Sequence, residues 1–232
     1  MSALLFLLAA NILLAFGLAA LALVLVRAAA SGRGFDLLAP AMALGALLLM
    51  DGAASGLGVY RLRMPMGAFL ALPLFFGLAP LIAAYGAVAV GGPARRPGDV
   101  LRGAGPLMLL AVLLLLPFWL LPMPEKLWLL RGWITLSIEP DQSHLALAGL
   151  LVARGLLIGQ GLFYLGKSWR SLRAAGSGFA RPMLILLMVW LFRGVADFLP
   201  GEMAPRIGDL ALGLGIFASG LVALSGRVEK AR

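Results

Sequence analysis

The chain has 232 residues, 62% hydrophobic and only 12% charged, with a mean hydropathy of +1.02. Soluble domains carry about a quarter charged residues, so that class is excluded, and long apolar blocks mark an all-α polytopic membrane protein. The net charge of +9 is no nucleic-acid footprint, because the basic residues fall between apolar blocks and follow no helix-turn-helix or RNA-binding pattern.

Zero cysteines exclude disulfides, thiolate metal sites and Cys nucleophiles, and the one histidine, His144, excludes paired-His haem ligation within the chain.

A spanning helix needs about 20 apolar residues. Seven blocks meet or approach that length: roughly 3–26, 37–60, 66–90, 105–122, 144–166, 182–200 and 207–225. They form one transmembrane domain over residues 1–232. The first block precedes "RAAASG" but lacks a basic n-region and is too long for a signal-peptide core. It is read as a retained helix. In the second block, Asp51 is followed by Gly52 and Gly56.

The third block contains "ALPLFFGLAP", where Pro73 and Pro80 predict interruption. After it comes "GGPARRPGDVLRGAGP" (91–106), whose Gly and Pro content predicts a turn that breaks helices on both flanks. Between the fourth and fifth blocks, "KLWLLRGWITL" is too short to span. With Trp128 and Trp133 it reads as an interfacial helix or lid, or as simple helix-end anchoring.

The fifth block carries Arg154 followed by Gly155 and Gly159. These two G-x-x-x-G spacings suggest that the second and fifth blocks meet. The seventh has Ala211, Gly215 and Ser219 at the same spacing. The chain shows no internal repeat of the inverted kind found in transporters.

Lys and Arg set the orientation. Twelve lie on one side (Arg27, Arg33, Arg95, Arg96, Arg102, Lys167, Arg170, Arg173, Arg181, Arg227, Lys230, Arg232). Five lie on the other (Arg61, Arg63, Lys126, Arg131, Arg206). The positive-inside rule then predicts an external N-terminus and a cytoplasmic C-terminus.

Four ionisable residues fall well inside the blocks, away from their ends: Asp51, Arg154, Arg193 and Asp197, the last two in "WLFRGVADFLP". A charge at a helix centre costs at least about 2.5 kcal/mol on insertion scales, so these should face the bundle interior and pair. Arg193 and Asp197 are four apart and share a helical face. At about 1.5 Å per residue, these four and Asn11 all lie roughly 5–15 Å from the outer ends of their blocks.

Two readings follow: a polar cavity open to the outside that binds a ligand, or buried pairs, Asp51–Arg154 and Arg193–Asp197, that fix helix register. The last block has no lysine for a retinal Schiff base, and no His or carboxylate cluster suits a metal. Neither an enzyme nor a metal or other cofactor is expected.

The stretches "FDLLAPAMALGALLL", "FLALPLFFGLAPLIAAYGAV", "GAGPLMLLAVLLLLPFWLLP" and "GLLIGQGLFYLGKSWRSLR" carry a resemblance over about residues 36–175. They are similar to the seven-helix N-terminal region of membrane-bound AraC-type transcriptional regulators. Gly77, Pro80, Leu81 and Tyr85 match the end of that family's third helix, although an inserted Leu-Ala departs from its usual spacing. Tyr164, Leu165, Arg170 and Arg173 match the end of its fifth.

The resemblance implies sensing at a bacterial inner membrane, an outside N-terminus and output inside. The chain ends at Arg232 without a helix-turn-helix, so output is expected to pass to a partner protein. The reading is therefore a receptor-like sensory or regulatory module whose partners are the lipid bilayer, a small ligand and another polypeptide, with no nucleic acid. The alternatives are a small-solute transporter, opening inward past Gln160, and an accessory subunit of a larger membrane complex.

Overall fold

A computed structural model describes residues 2–28, 35–89, 93, 95–135, 144–174, 180–199 and 203–228. The described residues are helical and contain no strand. The helices are α1 (Ser2–Ala28), α2 (Phe35–Gly56), α3 (Val59–Leu62), α4 (Leu72–Phe75), α5 (Leu78–Ala89), α6 (Pro97–Leu120), α7 (Met123–Thr135), α8 (His144–Ala174), α9 (Ala180–Ala196) and α10 (Met203–Val228), with a 3-10 turn at Pro65–Gly67.

Six segments are long and apolar enough to cross a membrane, and a seventh apolar helix, Met183–Ala196, is shorter. This is a multi-pass membrane architecture.

Apolarity is spread around α1, but burial is not. Of its buried residues, Leu8, Asn11, Ala15, Leu18, Ala22 and Leu25 fall at alternating three- and four-residue steps, the seam of a left-handed helix pair, with Leu21 buried beside it. Leu5, Phe6, Leu13, Phe16, Leu23 and Val24 point away from the protein. The seam packs on α2 and α10, which also touch each other. At the centre, α5 is surrounded by α2, α6, α8 and α9. Eight of the twelve α5 residues are buried, including every one from Leu78 to Ile82, as expected of a helix apolar on all sides.

The third block is broken as the prolines predict. Pro80 has no N–H to offer the carbonyl of Phe76, four residues earlier. In hydrocarbon that oxygen needs another donor. Gln160 of α8 supplies it, its Nε2 donating to Phe76 O at 2.9 Å. Likewise Trp119 Nε1 donates to Ala68 O at 3.1 Å, beside the 3-10 turn.

Gln160→Leu should therefore lower stability in detergent melts by about 1 kcal/mol. In a Pro80→Ala background the effect should shrink, because residue 80 regains its own donor. Equal effects in both backgrounds would refute this role for Gln160.

Three expectations need correction. The segment 91–106 does not break the next helix: α6 starts at Pro97 and runs through Pro106. Pro97 occupies the first turn, where no N–H is needed, and Asp99 lies there at the positive end of the helix dipole. The second and fifth blocks do not meet through their glycines. Gly155 and Gly159 face open space, whereas Gly52 and Gly56 lie against α10 and α1.

Finally, the seventh block begins at Met203, not 207, which draws Arg206 into the helix. The interfacial segment does form a helix, α7, and Leu129 and Leu130 join the core while Trp128 packs against it. The Trp133 side chain lies outside the described ones.

Candidate functional site

The intramembrane charges gather at the end of the bundle where α1 and α10 begin and α2 and α9 end. Asp197, just beyond α9, pairs with Arg193 at 2.7 Å one turn earlier and with Arg154 of α8. The Arg193 Nε also donates to Asp209 of α10, which is completely buried. Asp209 in turn accepts from Arg206 Nη1 at 3.2 Å.

The result is a ladder of alternating sign, Arg154–Asp197–Arg193–Asp209–Arg206, linking α8, α9 and α10. It reaches α2 through Gly52: a Cβ there would lie 2.5 Å from Asp209 Oδ2 and 2.8 Å from Arg206 Nη1. Only glycine lets α2 approach this closely.

Asp51 stands across from the ladder. Its Oδ1 accepts the Tyr60 hydroxyl at 2.6 Å. Between Asp51 and the ladder is a cavity of about 40 Å³, lined by Asp51, Arg154, Arg193 and Asp197 together with apolar and aromatic residues. One aromatic lining residue is Phe69, whose ring lies 5.7 Å from the Arg154 guanidinium carbon and meets Phe118 edge to face.

Phe69 has φ 65°, in the left-handed region that bulky residues rarely adopt. Strain of this kind persists only where surrounding structure enforces it, and it clusters at functional sites. Here the enforcing neighbours are the 3-10 turn before it and α7 above that turn. Lys126 of α7 is buried, and its Nζ donates to Met66 in the turn at 2.8 Å.

Four of the five sequence-nominated residues thus line one cavity: Asp51, Arg154, Arg193 and Asp197. The fifth, Asn11, is not among its lining. It is fully buried in the α1 seam, with its Nδ2 3.5 Å from the carbonyl of Arg206. The expected Arg193–Asp197 pair is present. The expected Asp51–Arg154 pair is replaced by Arg154–Asp197 and Asp51–Tyr60.

Arg206, Asp209 and Tyr60 were not nominated. Arg206 and Asp209 are three apart, a helical pairing that becomes visible once the last helix is started a turn earlier. Among the described residues no group of His, Cys, Asp or Glu could hold a metal ion.

Compared with known proteins, the chain matches no family model, no curated protein and no solved structure.

Proposed function

We propose that the chain is a non-enzymatic, receptor-like sensory module of a bacterial inner membrane. It has seven spans, an external N-terminus and a cytoplasmic C-terminus, and it binds a small polar ligand between Asp51 and the charge ladder. The observation that carries this is the cavity, because four charged side chains, from α2, α8 and the end of α9, line it in a region otherwise built to exclude charge.

The ladder also supplies a means of response. Asp197 is shared between Arg154 of α8 and Arg193 of α9, so a ligand that competes for Arg154 alters the hold of α9 on α8. Such a ligand shifts the balance only by binding the two arrangements unequally. The far end of α8 carries Lys167 and the basic segment that follows, where output leaves the membrane.

The charge bias supports the orientation. Of the five basic residues assigned outside, Lys126 and Arg206 are buried within the protein, leaving Arg61, Arg63 and Arg131 against twelve. The resemblance to the membrane-bound AraC-type sensor region agrees with this reading. The transporter alternative needs a path past Gln160, yet that side chain is buried and engaged with Phe76. The balanced charge of the set, three Arg and three Asp, favours a second reading as a structural clamp in a complex subunit.

Native mass spectrometry of the wild type and Arg154→Leu separates the two. Removal of the Arg154 guanidinium leaves Asp197 still paired with Arg193. A small molecule released from the wild type and missing from the variant supports binding. A bare wild-type protein, or one that leaves the membrane only with another polypeptide, supports the clamp.

A further inference from the structure

We propose that Met66 is an oxidation site for peroxides and hypohalous acids, and that Lys126 holds its sulfoxide. This site goes beyond the ligand reading and holds whether or not the cavity has an occupant.

Lys126 and Met66 are an ill-matched pair. Lys126 is 3% exposed, and its Nζ donates to the Met66 sulfur at 2.8 Å. A buried ammonium needs acceptors that offset its lost hydration, and a thioether is a weak one. Met66 itself is 52% exposed on the Pro65–Gly67 turn, just after the exposed Arg63 and Met64. A hidden donor thus meets a sulfur that a small oxidant can reach. Met64 and Met123 are similarly exposed, and what sets Met66 apart is the cation on its sulfur.

The oxidation draws no group from the protein other than this sulfur. A sulfur lone pair attacks the terminal oxygen of a peroxide, the O–O bond breaks, and an S–O bond forms. Sulfur gives up two electrons to the peroxide. The proton of the attacked oxygen passes to the departing hydroxide or alkoxide, which leaves as water or an alcohol. A hypohalous acid reacts likewise and releases a halide and a proton. A dithiol reductant reverses the change and removes the oxygen as water.

The product suits Lys126 better than the thioether does. The polarised sulfoxide oxygen is a good acceptor, and a hydrogen bond to it from an ammonium is charge-assisted, about twice as strong as a neutral one. Lys126 engages one sulfur lone pair, which leaves the other for the oxidant. Rotation about the flexible bonds of the methionine then brings the new oxygen onto Nζ. This gain concerns the one N–H aimed at Met66, whatever the other two meet. Sulfoxide at an apolar contact is ordinarily disruptive; here it tightens the tie between α7 and the turn.

That tie bears on the cavity. Gly67 of the turn lies against the Tyr60 ring, whose hydroxyl donates to Asp51. Two residues beyond Gly67 is Phe69, beside Arg154. The turn that carries Met66 thus touches both walls of the cavity.

The test uses the full chain in lipid nanodiscs, oxidised with hydrogen peroxide, with peptide mass spectrometry to locate each added oxygen. Other methionines oxidise as well, so the readout is a difference between backgrounds. The change in melting temperature on oxidation should be about 2–4 °C more favourable in the wild type than in Met66→Leu or Lys126→Leu. A methionine sulfoxide reductase should return the wild type to its starting value. Met66→Gln, which places an amide oxygen near the position of the sulfoxide oxygen, should melt above the wild type without any oxidant. Adding Lys126→Leu should remove that gain.

Oxygen added at Met66 with an equal change in all three backgrounds would overturn the proposal. So would a Met66 that stays unoxidised while Met64 and Met123 react. Should Lys126→Leu fail to fold, Met66→Gln against Met66→Leu decides: a higher melting temperature for Met66→Gln supports the site, and an equal or lower one overturns it.

Discussion

Asp209→Leu should be among the most damaging single substitutions in the protein, costing about 3–5 kcal/mol and abolishing most folded material after detergent extraction. Asp209 is completely buried and accepts from both Arg193 and Arg206, so its removal takes a buried carboxylate from two guanidiniums at once. The isosteric Asp209→Asn keeps an acceptor but loses the charge, and should fall between the variant and the wild type.

The decisive comparison is Arg206→Leu combined with Asp209→Leu. That pair deletes one charge of each sign, leaving Arg154 and Arg193 against Asp51 and Asp197. If charge balance governs this layer, the double variant should melt above Asp209→Leu alone in fluorescence-detected size exclusion. A double variant as poor as the single would mean that Asp209 acts through packing alone.

The ladder explains why a membrane helix carries Arg193 and Asp197. Neither is compensated by the other alone: Arg193 bridges Asp197 and Asp209, while Asp197 bridges Arg193 and Arg154. Charges inside apolar blocks are conspicuous in a sequence, which is why Asp51, Arg154, Arg193 and Asp197 could be nominated without coordinates.

Asp209 and Arg206 were harder to see because they sit near a helix start. A boundary shifted by one turn there changes a buried partner into a loop charge. Tyr60 gave no signal of its own, since an aromatic near a membrane helix end is read as an interfacial anchor. The apolar helices were legible from length and composition. The face each turns inward was not, because lipid and protein interior are equally apolar and the usual alternation with polar residues disappears. The α1 seam shows this: Leu18 is fully buried and Phe16 exposed, with nothing in hydropathy to separate them.

Small residues should mark close helix contacts, and the sequence offers more candidates than contacts. The G-x-x-x-G spacing at Gly155 and Gly159 lies on an open face of α8, whereas Gly161 lies against α9 side chains and Gly149 against the backbone of α6. A Cβ at Gly149 would collide with the backbone carbonyl oxygen of Leu114 in α6. Backbone cannot swing aside as a flexible side chain can, so Gly149→Ala should force α6 and α8 apart and cost about 1–3 kcal/mol or more.

That displacement would also disturb the cavity, because α6 supplies Phe118 against Phe69 and α8 supplies Arg154. Gly149→Ala should thus lower both the melting temperature and any ligand-dependent gain in it. Gly155→Ala, with nothing within 4 Å of the added methyl, should leave both unchanged. The reverse ranking of the two variants would mean that the exposed face of α8 is covered by another helix in the membrane, and that α6 yields readily at Gly149.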